Sequence, residues 1–213
     1  MKAFAKPLVF ILCLLPAAWL FYAVYLAYTG GANLLGPDPP EALALETGEW
    51  AIRMLVLALA ITPLRYLFNW PYLWRFRRMI GLFAFFYTSL HLLVFLMFLL
   101  QWDWGAIGRE ITERPYITLG FAAFVPMVAL AATSFNRAQR KLGRNWKRLH
   151  RLVYAINLLA VLHIVWIVRS SYQDAVVYGG LVLLFLGYRL LSHFSPAVKR
   201  FTLRPSRIPA ASS

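Results

Sequence analysis

Cysteine is almost absent from this sequence, and Cys13 is the only one among 213 residues. A single thiol excludes an internal disulfide, a cysteine-ligated zinc site and a cysteine-ligated iron–sulfur cluster. No G-x-G-x-x-G motif follows a strand-like run, so the chain encodes no nicotinamide-binding domain. Charged residues make up only 14% of the chain, and its polar connections are too short to hold a soluble catalytic domain.

Long apolar runs dominate instead. The chain is 61% hydrophobic, with a mean hydropathy of +0.63, whereas soluble domains are roughly half apolar. Apolar stretches of about 20 residues, enough to cross a ~30 Å hydrocarbon core, recur along it. We therefore predict an all-α membrane protein, a single domain over residues 1–213 that forms a bundle of six transmembrane helices. The predicted spans are 7–28, 48–68, 79–100, 116–133, 149–168 and 175–193.

Three prolines, Pro16, Pro63 and Pro126, fall inside these spans. Proline interrupts the hydrogen-bond ladder of a helix, and a membrane helix tolerates it where neighbouring helices satisfy the freed carbonyl groups. The first apolar run is long and lacks a clean small-residue cleavage site after it. We therefore interpret it as a helix rather than a signal peptide.

Basic and acidic residues separate cleanly in this six-span arrangement. One side holds Lys2, Lys6, Arg65, Arg75, Arg77, Arg78, Arg137, Arg140, Lys141, Arg144, Lys147, Arg148, Arg151, Arg189, Lys199, Arg200, Arg204 and Arg207. All eight acidic residues lie at or near the other side: Asp38, Glu41, Glu46, Glu49, Asp103, Glu110, Glu113 and Asp174. The positive-inside rule then predicts that both termini are cytoplasmic. The net charge of +14 is mainly a rim that attracts anionic membrane lipids, not a nucleic-acid-binding surface.

Histidine is rare as well, with four residues in the chain. His91 and His163 lie well inside the third and fifth spans, which run in the same direction. At 1.5 Å per residue the two side chains reach a similar depth. Two neutral imidazoles facing each other in an apolar pocket suit the axial ligation of a haem iron. A hydrogen bond between helices is the structural alternative for a histidine in a span.

His150 lies at the cytoplasmic start of the fifth span, about 20 Å from His163 along the helix. A second haem there would complete an electron path across the membrane. On an ideal helix the two side chains point about 140° apart, so either the helix is irregular or the two haems approach it from different sides. The third span offers Arg77 and Arg78 at this level but no histidine, which leaves a second ligand open. His193 ends the sixth span, and we interpret it as an interfacial residue.

Four runs resemble a known family of membrane proteins: LETGEWAIRMLVLALAITPLR, RRMIGLFAFFYTSLHL, ERPYITLGF and LGRNWKRLHRLVYAINLLAVLH. They are similar to the MsrQ (YedZ) family, the haem-binding membrane subunits of protein-methionine-sulfoxide reductase systems, in the ferric-reductase-like transmembrane group. The resemblance covers residues 7–193 and implies a bacterial inner-membrane protein with haem b, in one or two copies, and FMN. It implies the haem ligands His91, His150 and His163.

The same resemblance implies a role in electron transfer rather than catalysis. Electrons would come from the quinone pool or a cytoplasmic flavin reductase. They would pass to a periplasmic molybdopterin subunit that repairs oxidised methionines. Two other functions remain open: a quinol-oxidising cytochrome b of another respiratory complex, and a transporter in which histidines relay protons. A haem spectrum would distinguish the two haem proteins, the reductase subunit and the cytochrome b, from the transporter.

Several other polar and aromatic residues have candidate roles. Guanidinium groups pair well with a haem propionate or an FMN phosphate, which makes candidates of Arg77, Arg78, Arg148 and Arg151; ordinary positive-inside topology is the alternative. Glu49 and Arg53 have the spacing of a local ion pair. The acidic outer loops offer a docking surface for a basic partner, or are simply hydrophilic caps. An outer aromatic belt is predicted at Trp50, Trp102, Trp104 and Tyr116.

Overall fold

The computed structural model describes residues 4–167 and 172–194, the last two by their backbone alone. These residues form helices and connecting turns and contain no strand. The α-helices are α1 (Ala5–Tyr28), α2 (Pro39–Leu67), α3 (Arg77–Val94), α4 (Trp104–Glu113), α5 (Pro115–Ala132), α6 (Asn136–Leu142), α7 (Arg144–Leu149), α8 (Leu152–Ile167) and α9 (Gln173–Phe194). A 3₁₀ helix (Pro71–Phe76) leads into α3 and a π-helix (Phe95–Leu99) extends it.

Six segments are long and apolar enough to cross a membrane, which confirms the predicted count. They are Ala5–Tyr28, Pro39–Leu67, Pro71–Leu99, Pro115–Ala132, Arg144–Ile167 and Gln173–Ser192. We name the two ends of the bundle after their charge. The basic end holds the start of α1, α3 and α8 and the end of α2, α5 and α9; the acidic end is the opposite one. This separation follows the charge pattern of the sequence.

The helices start where the sequence supplies caps. Asp38 accepts a hydrogen bond from the backbone N–H of Glu41 at 3.1 Å, and Pro39 begins α2 at a position where proline needs no donor. As a result α2 begins well before residue 48, where its apolar run starts. Asp103 caps α4 in the same way, accepting from Gly105 and Ala106 at 2.8 and 3.1 Å. The sequence analysis did not predict α4.

The core of the bundle is built around α2. Its buried residues include Ile52, Met54, Leu55 and Leu59, and the other helices pack their own buried residues against them: Ala17 of α1, Phe83 and Tyr87 of α3, Met127 of α5, Ile156 of α8 and Val182 of α9. Since α2 touches the helices that carry His91 and His163, it is part of the framework that holds both helices.

Side chains from neighbouring helices support the backbone near two of the three prolines, Pro16 and Pro63. Near Pro16, the Tyr87 hydroxyl stands between two turns of α1: Ala17 N–H donates to it at 3.1 Å, and it donates to the Cys13 carbonyl at 2.7 Å. Pro63 lacks the N–H that would bond to the Leu59 carbonyl. Arg189 of α9 donates to that carbonyl instead, at 3.1 Å. These contacts supply the support from neighbouring helices that proline in a membrane helix requires.

Candidate functional site

His91 and His163 lie side by side near the acidic end of the bundle. Their ring centroids are 6.2 Å apart and the ring planes are nearly perpendicular, at 83°. Both residues sit toward the end of their helices, α3 and α8, which run side by side in the same direction. The structure therefore brings the two imidazoles together at the equal depth deduced from residue spacing.

One nitrogen of each ring is already used. His91 Nδ1 lies 2.9 Å from the Ala44 carbonyl, and His163 Nδ1 lies 2.6 Å from the Tyr116 carbonyl. A carbonyl oxygen can only accept, so each Nδ1 bears the proton and each Nε2 has a free lone pair. Neither Nε2 has a hydrogen-bond partner among the described residues. This is the usual arrangement of a histidine that ligates a metal, because a bond from Nδ1–H to a carbonyl fixes the tautomer and the ring orientation.

Two glycines make room for the rings. A Cβ on Gly48 would lie 3.1 Å from Nδ1 of His91, and one on Gly120 would lie 3.1 Å from Cε1 of His163. Both distances are shorter than ordinary van der Waals contact, which begins near 3.4 Å. Each glycine stands one helical turn after the carbonyl that accepts from the same histidine. The glycine and the carbonyl together therefore form a shelf for each imidazole on the adjacent helix.

The two shelves repeat along the chain. In both, the histidine lies 47 residues after the carbonyl that it contacts. Ala44, Gly48 and His91 each have their counterpart 72 residues further on, in Tyr116, Gly120 and His163. The pair α2–α3 thus presents its histidine in the same way as the pair α5–α8. Two of the three repeated positions carry the same residue, Gly48 and Gly120 or His91 and His163, but only the paired histidines were predicted from the sequence.

The imidazoles of His91 and His163 suit a metal whose other ligands belong to a cofactor rather than to protein side chains. Two imidazoles on opposite sides of one metal, with metal–nitrogen bonds of about 2 Å, place their ring centroids roughly 6 Å apart. The observed separation is 6.2 Å. The described residues contain no group of three or more metal-ligating side chains, so a bare ion would lack ligands. A porphyrin iron needs only the two axial ones.

His150 occupies a different setting near the basic end. It lies in a turn that separates α7 from α8, so the helix between His150 and His163 is irregular at its start. Its Nε2 lies 3.2 Å from Thr133 Oγ1, and its ring stacks on Trp146 at 4.1 Å. Because Thr133 donates its hydroxyl proton to the Ala129 carbonyl at 2.7 Å, it accepts from His150. Nε2 is therefore engaged here, unlike the free Nε2 atoms of the other pair.

The four arginines predicted at the basic end separate into two kinds. Arg77 is half-buried and lies within electrostatic range of His150, Arg189 and Tyr154. Arg78 is exposed and donates to Asn136 Oδ1 at 3.0 Å. The side chains of Arg148 and Arg151 are exposed too. Only Arg77 belongs to the environment of His150.

Arg189 was not predicted as a site residue, because its charge was attributed only to the basic side of the membrane topology. Its guanidinium donates to the Tyr154 hydroxyl and to Thr62 Oγ1, both at 2.8 Å, besides the Leu59 carbonyl. Its Nε is buried and has no partner among the described residues. A signal was available: Arg189 follows the apolar run LVLLFLGY, inside a span where an ionisable residue is by default functional.

The acidic end contains the predicted local ion pair. Arg53 bonds to Glu49, donates to the Tyr178 hydroxyl at 3.1 Å and stacks over Trp50. Exposed Trp102 and Trp104 flank the start of α4. The side chain of His193 and the whole of Arg169, Lys199, Arg200, Arg204 and Arg207 lie outside the described residues, as does Lys2.

Comparison with known proteins points to one family. Residues 47–161 match the family described as the ferric reductase like transmembrane component. A protein of Polaromonas naphthalenivorans (strain CJ2) is 46% identical over 92% of this chain and 88% of its own length. One of Xanthomonas euvesicatoria pv. vesicatoria (strain 85-10) is 45% identical over 97% of this chain and 94% of its own length. Both are named protein-methionine-sulfoxide reductase heme-binding subunit MsrQ. No solved structure matches the chain.

The matched region contains α3 and most of α8, and hence His91, although it stops just short of His163. The two bacterial relatives extend the similarity over nearly the whole length of the chain. With its six apolar helices, the chain is a multi-pass protein of the bacterial inner membrane, and it belongs to the ferric-reductase-like transmembrane family, among the MsrQ subunits.

Proposed function

We propose that this chain is the haem-binding electron-transfer subunit of a protein-methionine-sulfoxide reductase system. The observation that supports this most strongly is the His91–His163 pair, whose Nε2 atoms are free and whose Nδ1 atoms are bound to carbonyls. The relatives named as haem-binding subunits support the same role. Bound between these two residues, a haem b supplies a one-electron ferric/ferrous couple.

The chain's own residues perform the remaining tasks. The carbonyls of Ala44 and Tyr116 orient the two imidazoles and increase their basicity through Nδ1–H. Gly48 and Gly120 let α2 and α5 approach closely enough to make those bonds. The apolar helices exclude water from the site. The relatives are named as heme-binding subunits of the reductase, which supports a role in relaying electrons while another subunit reduces methionine sulfoxide.

A second position near His150 would shorten the electron path. The hydrocarbon core is about 30 Å thick, which is a long gap for a single haem to bridge. His150 lies thirteen residues before His163, or about 20 Å along a helix. We propose that it ligates a second haem after Thr133 releases its Nε2. We also propose that Arg77, Arg78, Arg148 and Arg151 pair with a haem propionate or with the phosphate of FMN.

We infer the direction of transfer from the distribution of charge. If the basic end faces the cytoplasm, as the positive-inside rule predicts, electrons enter near His150 from the quinone pool or a cytoplasmic flavin reductase. They leave near His91 and His163, at the acidic end, toward a periplasmic molybdopterin-containing subunit. Some acidic side chains at the acidic end already have partners within the chain. Asp38 and Asp103 cap helices, and Glu49 and Glu110 form ion pairs. Glu41, Glu46 and Glu113 are the main candidates for docking a basic partner.

A reduced-minus-oxidised absorption spectrum of the purified protein tests the proposal directly. We expect the bands of a six-coordinate haem b. His193→Ala serves as a control and should leave the spectrum unchanged. A protein without any haem spectrum would contradict the proposal and favour a transporter in which histidines relay protons. A haem that is reduced by quinol but is not reoxidised by the methionine-sulfoxide reductase subunit would favour a cytochrome b of another complex.

A further inference from the structure

Two guanidinium groups lie together in the basic half of the bundle without a carboxylate. Arg189 of α9 and Arg77 of α3 are both half-buried and within electrostatic range of each other. The three ion pairs that the described residues form are Arg53–Glu49, Arg109–Asp103 and Arg114–Glu110, and all are at the acidic end. Glu49, the deepest acid on α2, lies ten residues before Leu59, which is about 15 Å along the helix.

Every acceptor that Arg189 has found is neutral. They are the Tyr154 hydroxyl, Thr62 Oγ1 and the Leu59 carbonyl, and the Arg189 side chain also covers the Tyr154 ring, 5.1 Å from its centroid. Arg77 stacks over Trp74 at 5.1 Å. Neutral hydrogen-bond acceptors and aromatic rings stabilise a guanidinium group, but they do not neutralise its positive charge. Two adjacent positive charges removed from water are costly unless an anion joins them.

We propose that Arg77 and Arg189 form a binding site for an oxyanion, held beside His150 by groups from four helices. The identity of the oxyanion rests on the proposed function: it is a propionate carboxylate of a haem bound near His150 or the phosphate of FMN. Carboxylate and phosphate both present a pair of anionic oxygen atoms, to which a guanidinium group binds through two hydrogen bonds. Arg77 lies within electrostatic range of His150 and of Arg189, so an oxyanion held there would lie near the candidate ligand.

The test must separate this role from the repair of the α2 ladder. Arg189 compensates for the missing N–H of Pro63, so Arg189→Gln alone can unfold the bundle. Pro63→Ala restores a backbone donor for the Leu59 carbonyl and removes that structural demand. We therefore compare Arg189→Gln and the charge-conserving Arg189→Lys in the Pro63→Ala background. Arg65→Gln, a change at another half-buried arginine of the basic end, is the matched control.

Binding of paired ligands by the full-length protein in lipid nanodiscs gives the readout. One arm compares protohaem with its dimethyl ester, which lacks the propionate charges; the other compares FMN with riboflavin, which lacks the phosphate. We expect the Pro63→Ala protein to prefer the anionic ligand of at least one pair. Arg189→Gln should reduce that preference about tenfold or more, whereas Arg189→Lys should keep most of it and Arg65→Gln should keep all of it.

The arms distinguish the two sources of the oxyanion. Loss of preference in the haem arm assigns the site to a propionate, and loss in the flavin arm assigns it to a phosphate. An unchanged preference in both arms overturns the proposal, as does an equal loss for Arg65→Gln. The proposed function fails separately, through the absence of a haem spectrum in the wild-type protein.

Discussion

The glycine shelves give the sharpest prediction, which concerns Gly120→Ala. The added Cβ would lie 3.1 Å from Cε1 and 3.2 Å from Nδ1 of His163, whereas ordinary contact begins near 3.4 Å. The ring must therefore move by a few tenths of an ångström, away from the Tyr116 carbonyl that it contacts at 2.6 Å. Overpacking of this kind costs about 1–3 kcal/mol, and disturbing the orienting partner of a metal ligand typically weakens metal binding about 10–100-fold.

A matched substitution isolates that effect. Alanine is favoured over glycine inside a helix by about 0.5–1 kcal/mol, so every Gly→Ala change includes a stabilising contribution. Gly81 of α3 has nothing within 4 Å of an added Cβ, and Gly81→Ala should therefore raise stability slightly and leave haem binding alone. Gly48→Ala, where the Cβ would lie 3.1 Å from His91 Nδ1, should behave like Gly120→Ala.

Haem titration of the apoprotein and a redox titration form the assay. We expect Gly120→Ala and Gly48→Ala to bind haem about 10–100-fold more weakly than Gly81→Ala. The midpoint potential of the remaining haem should rise, because a weaker Nδ1–H bond makes the imidazole less basic and stabilises ferric iron less. If both variants matched Gly81→Ala in affinity and in potential, the carbonyl–glycine shelves would not position the ligands.

Four further outcomes are expected. His91→Ala and His163→Ala should each remove the haem at the acidic end, and a full haem b spectrum in either purified variant would refute the pairing. His150→Ala should slow reduction from the basic side while that haem still binds, as stopped-flow measurements on oriented vesicles would show; unchanged kinetics would refute the relay. Tyr87→Phe strands the Ala17 N–H and the Cys13 carbonyl and should lower stability by about 1–3 kcal/mol, measured by thermal unfolding against the exposed control Tyr22→Phe. Reduction of the periplasmic partner should slow as salt rises if acidic loops steer it, and salt-independent rates would exclude that docking.

The sequence alone was sufficient for those features that depend on hydrophobicity or short spacing. Six apolar runs predicted six helices, because membrane spans have a length fixed by the bilayer. The Glu49–Arg53 pair followed from its i, i+4 spacing. The two histidines inside the spans were conspicuous because ionisable residues there are rare.

The remaining features depend on how helices pack. Gly48 and Gly120 look like ordinary small residues of a span until the neighbouring helix brings a ring within 3.1 Å. The partnership of Arg189 with Pro63 joins positions 126 residues apart, and no local pattern predicts it. In contrast, α4 was predictable: Asp103 is a typical N-cap, and Ile107 and Ile111 have helical spacing behind it.

The repeated shelves have a consequence for oxygen. Each histidine is held by the same kind of acceptor, on the same nitrogen and against a glycine, so two axial donors of matched strength would face one iron. Neither bond is then the weak one that opens to admit a small molecule. An iron held by both histidines would have no open position for O₂ or CO, and its electrons would leave by outer-sphere transfer to an acceptor at the acidic end.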